Sequence, residues 1–135
     1  MVRKLPIKAF LKLDQSDTLS LGCCSFNPVD GGLLFAGGSQ GKLHLFDLNN
    51  CDRSNLAHPL LPATSLTLDK NPLSEFKHIS FPSDSPNVLG LSSPNSGFYI
   101  FDLRSGNTQM SSHSLHSIKS SFSPSHPYHI CLLTS

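Results

Sequence analysis

The sequence predicts an all-β fold in which small antiparallel sheets follow one another along the chain. The first observation is a repeated strand ending. The segment GKLHLFDLNN at residues 41–50 returns as GFYIFDLRSG at residues 97–106, so that Phe46-Asp47 reappears as Phe101-Asp102. The second observation is the turn content, with 10 prolines and 9 glycines in 135 residues. Short strands joined by many turns have this composition, and the length fits one small domain or part of a larger one.

The third observation is that the two units agree in their internal spacing. The interval from Phe26 to Phe46 equals the interval from Phe81 to Phe101. In each unit, a proline-bearing turn, a second apolar strand (LLFAGG or VLGLSS) and a turn of small residues precede the closing strand. Paired spacings of this kind indicate an internal repeat, and a self-contained β-sandwich is the alternative.

A third unit begins near the end of the sequence. The segment IKSSFSP repeats the inner-strand ending at Phe122, and residues 130–133 are the next apolar strand. We therefore expect two units and part of a third, as a piece of a longer design or as a chain that completes its array with another. We expect the isolated chain to be poorly stable and prone to associate through its exposed sheet edges.

The first unit carries an insertion. The interval from Phe26 to Phe81 is longer than the interval from Phe81 to Phe122, and the excess lies in residues 49–75, a proline-bearing segment. We predict a surface loop that encloses one short strand at residues 65–68. This loop is the best candidate for a specific partner contact, and a tolerated insertion is the alternative.

The strands carry apolar residues on both faces. Along KLHLF, Leu43 and Leu45 point to one face of the strand, whereas Phe46 points to the other. Such a strand must be covered on both faces, and neighbouring sheets can supply both covers. Cys24 and Cys131 are predicted to fill the core in the same way.

This repeat resembles the WD-repeat β-propeller family, in which each blade is a four-stranded antiparallel sheet that ends its third strand in Trp-Asp. The segments FNP and FSP resemble the family's inner-strand ending, and Phe-Asp stands twice where Trp-Asp is expected. The chain has no tryptophan, and Gln40 replaces the aspartate of the tight turn. The structural repeat positions that match the family pattern are Phe26, Phe46, Asp47, Phe81, Phe101, Asp102, His113 and Phe122.

The resemblance implies a partial propeller. Residues 1–16 would be an N-terminal extension, and residues 17–135 would be the WD-repeat region. The blades would be blade 1 over about residues 17–70 with the long loop 49–75, blade 2 over about 76–112, and a partial blade 3 over about 113–135.

Composition and motifs argue against several functional classes. A net charge of +1 disfavours capture of nucleic acid or of an anionic membrane. We find no paired acid, base and nucleophile, so we predict that the protein is not an enzyme and needs no cofactor. Cys51 and His58 share one segment, but the paired spacing of a structural zinc site is missing, so no metal site is predicted.

The N-terminal segment MVRKLPIKAFLKL has a lysine within each apolar run, so it predicts neither a secretory signal nor a membrane span. The four cysteines show no disulfide framework, which indicates a reducing compartment. We predict an intracellular protein of the cytoplasm or nucleus, with a transit peptide as the alternative.

The resemblance implies a non-catalytic scaffold that mediates protein–protein interactions within a multiprotein complex. Residues 89–104, LGLSSPNSGFYIFDLR, also resemble the WD-x-Arg box by which some WD-repeat proteins dock on the adaptor of cullin-4 ubiquitin ligases. Asp102 and Arg104 match the acid and the base of that box, and Arg104 would form charge-assisted hydrogen bonds with the adaptor. The alternative function is therefore a substrate receptor of such a ligase.

Overall fold

The computed structural model describes residues 20–49, 61–82, 85–112, 117–123 and 130–134. These ranges contain β-strands and turns without a helix, so none of them holds a helix able to cross a membrane. The strands are β1 (Leu21–Phe26), β2 (Leu33–Gly38), β3 (Lys42–Asp47), β4 (Thr64–Thr67), β5 (His78–Ser80), β6 (Val88–Ser93), β7 (Gly97–Asp102), β8 (Asn107–Ser112), β9 (Ser117–Phe122) and β10 (Ile130–Thr134).

The strands form three antiparallel sheets that follow the chain. Sheet 1 has the order β1-β2-β3-β4, sheet 2 has the order β5-β6-β7-β8, and sheet 3 is the hairpin of β9 and β10. The prediction of an all-β fold of antiparallel sheets is confirmed. The short strand expected at residues 65–68 lies one position earlier, at Thr64–Thr67.

The sheets stack face to face, with their first strands as neighbours. Strand β1 contacts β5, and β5 in turn contacts β9. Each sheet therefore supplies cover for the next one, as a succession of propeller blades requires.

One apolar cluster joins sheets 1 and 2. Phe35 and Phe81 meet edge to face with ring centroids 5.4 Å apart, and Phe76 and Tyr99 do the same at 5.5 Å. Burying one such ring contributes about 1.5–3 kcal/mol, so this interface is a main source of stability. The buried members of the cluster are Phe35, Leu43, Phe76, Ile79, Leu89, Leu91, Tyr99 and Phe101.

The opposite face of sheet 1 carries a smaller cluster. It consists of Leu34, Ala36 and Phe46, with Leu21 packed against it. Leu43 and Phe46, both on β3, thus belong to different clusters. The alternation expected along KLHLF is confirmed, and the strand is buried on both faces.

The prediction that Cys24 and Cys131 fill the core is wrong, because both side chains are exposed. They stand at the two ends of the stack, where no described sheet covers them. Cys23 points to the other face of β1 and lies inside the interface, with its Sγ 3.5 Å from the carbonyl oxygen of Phe76. Burial raises the pKa of the Cys23 thiol to about 11.

The two hairpin turns that precede the closing strands use different chemistry. In the β2–β3 turn, Gln40 and Gly41 have φ angles of 57° and 65°. In the β6–β7 turn, Pro94 cannot take a positive φ, and Gly97 adopts φ 114° at the first position of β7 instead. The first turn therefore holds a long side chain in the left-handed region that glycine prefers.

The link between sheets 1 and 2 consists of residues 68–77, between β4 and β5, and packs closely on sheet 1. The amide of Gly41 donates to the carbonyl of Ser74 at 2.9 Å, and the amide of Phe76 donates to the carbonyl of Gly38 at 3.2 Å. Ser74 and Phe76 are both buried. The C-terminal part of the segment 49–75, predicted as a surface loop, thus belongs to the interface between the sheets.

Candidate functional site

A groove of about 430 Å³ opens between sheets 1 and 2, along the edge of the two sheets where the β1–β2 and β5–β6 loops lie. Sheet 1 contributes Leu33, Leu45 and Leu66 to its walls, and sheet 2 contributes Leu103. The three leucines of sheet 1 lie on three strands whose alternate residues face the opposite side of the sheet, and Leu103 directly follows β7 of sheet 2. The groove is therefore an apolar slot whose two walls come from different sheets.

The rim of the groove is held in place by Asn27. Its Oδ1 accepts the amides of Val29 and Asp30, both at 3.0 Å, which fixes the β1–β2 loop. Its Nδ2 donates to the carbonyl of Pro86 at 2.9 Å, across the groove to sheet 2. A side chain that satisfies both loops in this way sets the width of the opening before any partner binds.

Large apolar side chains are exposed beside this opening. Val29 is 68% exposed at the rim, and Leu66 is exposed on the edge strand β4. Apolar surface around a concave slot is typical of a site that receives apolar side chains from another molecule.

The described residues do not bring together three histidine, cysteine or acidic side chains that could hold a metal ion. Cys51 and His58, weighed above as ligands, lie outside the described residues. The described part of the groove has an apolar floor, with the amide of Asn27 and the carboxylate of Asp30 at its rim.

The two predicted docking residues lie beside the same groove: Asp102 ends β7, and Arg104 lies in the turn that follows. The Oδ1 of Asp102 accepts the backbone amide of Arg104 at 2.8 Å, and this hydrogen bond holds the pKa of the Asp102 carboxyl below its usual range. The Nε of Arg104 lies 3.5 Å from the same oxygen, and the Arg104 side chain is 70% exposed. Leu103, between the two, lines the groove.

The first Phe-Asp ending has the same geometry. The Oδ1 of Asp47 accepts the amide of Asn49 at 2.9 Å, just as Asp102 accepts the amide of Arg104. Phe46 and Phe101 are both buried. Each Phe-Asp pair therefore combines a ring that anchors the strand with a carboxylate that caps the following turn.

The remaining predicted repeat positions have different environments. Phe81 is half-buried against Phe35, and Phe122 is half-buried beside Gly90. Phe26, at the matching position of the first unit, is 55% exposed. His113 lies outside the described residues.

Sequence reasoning missed a partly buried polar contact that joins the link to sheet 2. The hydroxyl of Tyr99 donates to Oδ2 of Asp69 at 2.7 Å. Burial acts to raise the pKa of the Asp69 carboxyl, but hydrogen bonds from the Asn71 amide and the Tyr99 hydroxyl together hold that pKa below its usual range. Burial and the Asp69 carboxylate raise the pKa of Tyr99.

The equivalent position in sheet 1 is His44, which precedes Phe46 as Tyr99 precedes Phe101. His44 is buried, and its Nδ1 forms a hydrogen bond of 2.7 Å with Oγ of Ser65 on β4. Burial first, and the charge of Lys42 second, lower the pKa of His44. A polar residue two positions before each Phe-Asp ending was the sequence signal for both contacts.

Comparison with known proteins places this geometry among propellers. No model of a known protein family matches the sequence. The chain is 28% identical over 102 residues to protein transport protein Sec31B of Mus musculus, a match that covers 74% of this chain and 8% of the mouse protein. Its structure is similar to the Cps50 (Swd1) β-propeller domain of Myceliophteria thermophila, with a TM-score of 0.65 and 15% identity over 85% of this chain and 31% of that domain. The chain thus spans less than a third of either protein, and its fold is of the β-propeller type, as the sequence predicts.

Proposed function

We propose that the protein is a non-catalytic WD-repeat scaffold that binds partner proteins within an intracellular multiprotein complex. The observation that carries this proposal is the apolar groove between sheets 1 and 2, with its ordered rim and its exposed Val29 and Leu66. A slot of this kind suits the apolar side chains of an extended partner segment, because its walls desolvate them.

The similarity to the mouse protein suggests which complex to examine first. That protein is named as a protein transport protein, and the match covers most of this chain. We therefore propose a transport assembly as the first place to look for partners of the groove.

Affinity purification from cells with two matched variants tests the groove. In the first variant, Val29→Lys and Leu66→Lys place two charges beside the slot. In the second, Leu73→Lys places a charge on a side chain that is 73% exposed at the opposite end of the sheets. We expect partners that co-purify with the wild type and with Leu73→Lys but are lost with the groove variant. Equal recovery with both variants, with unchanged thermal melting, would show that the groove is not the binding site.

A second candidate function is a substrate receptor of a cullin-4-type ubiquitin ligase. What favours it is the environment of Arg104, whose side chain is exposed and whose backbone is held by the Asp102 turn beside the groove. A guanidinium presented in this way can form charge-assisted hydrogen bonds with an acidic partner surface.

The test compares the wild type with Arg104→Ala and with Lys77→Ala, which removes another exposed cation away from this turn. The receptor function predicts that the cullin-4 adaptor co-purifies with the wild type and with Lys77→Ala, and that Arg104→Ala loses it. If the adaptor is never recovered, or is recovered equally with all three proteins, this candidate fails.

A further inference from the structure

The outer edge of sheet 1 is a short strand that is open to solvent. Strand β4 stands last in the strand order of its sheet, and among the described strands it pairs only with β3. All four of its residues are exposed. Stacked sheets meet by their faces, so a sheet on either face of sheet 1 leaves this edge open. The edge is therefore a surface of a different kind from the two ends of the stack.

The backbone groups of β4 alternate between the sheet and the open edge. The amide of Leu68 donates to the carbonyl of Gly41 at 2.8 Å, which fixes the direction of the backbone groups just after the strand. In an antiparallel ladder, every second residue exchanges hydrogen bonds with the partner strand. Leu66, two positions earlier, therefore also points its amide towards β3. Ser65 and Thr67 point theirs away from the sheet, in the spacing that an added β-strand requires.

The side chains of β4 place the groove directly beside this edge. Thr64 and Leu66 line the groove, whereas the Oγ of Ser65 lies on the other face and bonds to His44. On an added antiparallel strand, the residue opposite Leu66 would form a non-hydrogen-bonded pair, in which the Cα atoms are about 4.5 Å apart. Its side chain, and that of the residue two positions away, would point to the groove face.

The segment around β4 lacks the features that block pairing at an exposed edge. Residues 63–68, ATSLTL, contain no charged residue and no proline. Edge strands that must stay unpaired usually carry lysine, proline or an inward-pointing charge. Leu61, just before the strand, is 66% exposed, and Leu66 is 38% exposed. The edge thus has the neutral and partly apolar character of one that receives a strand.

One carboxylate faces the same groove. Asp30 lines the rim, and its Oδ1 accepts the amide of Gly32 at 2.9 Å. Its second oxygen, Oδ2, forms no hydrogen bond, and the carboxylate forms no ion pair, with any residue that the structure describes. A carboxylate of this kind beside an apolar slot favours a partner with a basic residue next to its apolar ones, chiefly through specificity and the rate of association.

We propose that β4 receives an extended segment of another protein. The segment pairs with β4 as a fifth strand of sheet 1, inserts alternate apolar side chains into the groove and carries a basic residue near Asp30. This proposal rests on the proposed function and deepens it, because the groove is the site of both. It adds the form of the partner, which is a β-strand rather than a helix or a folded surface.

A library of immobilised eight-residue peptides tests the form of the partner. We expect the full chain to select peptides that alternate apolar and polar residues and carry a lysine or arginine at one end. N-methylation along the best peptide then tests the pairing with the protein unaltered. Methylation at every second residue should weaken binding by about threefold to tenfold, because one hydrogen bond is lost, and methylation between them should have little effect. A library without binding peptides, or equal effects at every position, would overturn the proposal.

A substitution on β4 tests the same pairing from the side of the protein. Thr67→Pro removes an outward amide and keeps the bonds to β3, whereas Thr67→Val keeps that amide on a side chain of the same shape. We expect the selected peptide to bind Thr67→Val like the wild type and Thr67→Pro at least tenfold more weakly. Equal binding to both variants would reject the pairing. If Thr67→Pro lowers the melting temperature, the methylated peptides decide the question.

The groove variant, Val29→Lys with Leu66→Lys, separates this proposal from the proposed function. If the peptide is lost with the groove variant but not with Thr67→Pro, the groove stands and the strand pairing is wrong. If it is lost with Thr67→Pro but not with the groove variant, the pairing stands and the groove is not the binding site. Asp30→Asn keeps the acceptor for Gly32, and we expect it to weaken binding of peptides with a basic end but not of matched neutral peptides. Equal binding of both peptide types to Asp30→Asn and wild type would contradict the contact with Asp30.

Discussion

Sheets 1 and 2 have the same strand order, and their second and third strands have equal lengths, yet their equivalent residues are buried to different degrees. Ile79 is buried between the sheets, whereas Cys24, at the matching position of the first sheet, is exposed. Phe81 packs on Phe35, whereas Phe26 is largely exposed. The difference teaches that each sheet is specified by its own strands and turns, while burial is a property of the stack.

The same comparison holds for the buried polar residue of each third strand. Tyr99 reaches out of sheet 2 to Asp69 in the preceding link, whereas His44 bonds to Ser65 within its own sheet. One contact therefore ties neighbouring elements together, and the other holds the edge strand β4. The two are expected to respond differently to substitution and to pH.

The largest expected effect comes from the two equivalent phenylalanines. Phe101→Ala should lower the free energy of unfolding by about 3–5 kcal/mol, because it leaves a cavity in the cluster that joins sheets 1 and 2. Phe46→Ala should cost less, because its cluster is smaller. Urea denaturation of both variants measures the difference. A greater loss for Phe46→Ala would mean that the stack is not the main source of stability.

A close approach of the link to sheet 1 gives the next effect. A Cβ on Gly37 would lie 2.7 Å from Sγ of Cys23 and 2.7 Å from Cβ of Phe76, so Gly37→Ala should destabilise by about 1–3 kcal/mol. Gly31→Ala is the matched control, because nothing lies within 4 Å of the added atom. Thermal melting of both variants checks this, and similar midpoints would show that the link can move aside.

The hydrogen bond between Tyr99 and Asp69 should contribute about 1–2 kcal/mol, since its acceptor is charged and its donor is buried. Tyr99→Phe, Asp69→Asn and the double variant form a cycle in which the coupling energy isolates this contact. The pKa of Asp69 is lowered in the folded state, so its contribution is present above the unfolded carboxyl pKa and is lost as the solution becomes more acidic. Additive single effects would indicate that the two groups do not interact.

The smallest effect is the pH response of His44. Because its folded pKa lies below the unfolded value, neutral His44 stabilises the fold above about pH 6.5, and stability falls as the pH is lowered through that value. His44→Gln should flatten this part of the stability curve relative to the wild type. Parallel curves for the two proteins would place the pH response in other groups.

The features predictable from the sequence are those set by neighbouring residues. Strands β2 and β6 coincide with LLFAGG and VLGLSS, because apolar strand residues and flanking turn residues specify them locally. The recurrence of Phe-Asp at Phe46 and Phe101 predicted two equivalent closing strands for the same reason.

The features that escaped prediction depend on residues far apart in the chain. Asp69 is distant in sequence from Tyr99, in a segment whose prolines and polar residues are typical of a loop. The groove needs walls from two sheets at once. The exposure of Cys24 and Cys131 could not be predicted because alternation along a strand gives its two faces, not the neighbour that covers each of them.

The β2–β3 turn has a practical consequence for work on this protein. Gln40 holds a left-handed backbone that costs a residue with a side chain about 1 kcal/mol, and glycine or asparagine would relieve that strain. The turn projects from the edge of the sheets opposite the groove. A Gln40→Gly background would therefore offer a sturdier sample for crystallisation and partner screening while leaving the groove in its native form.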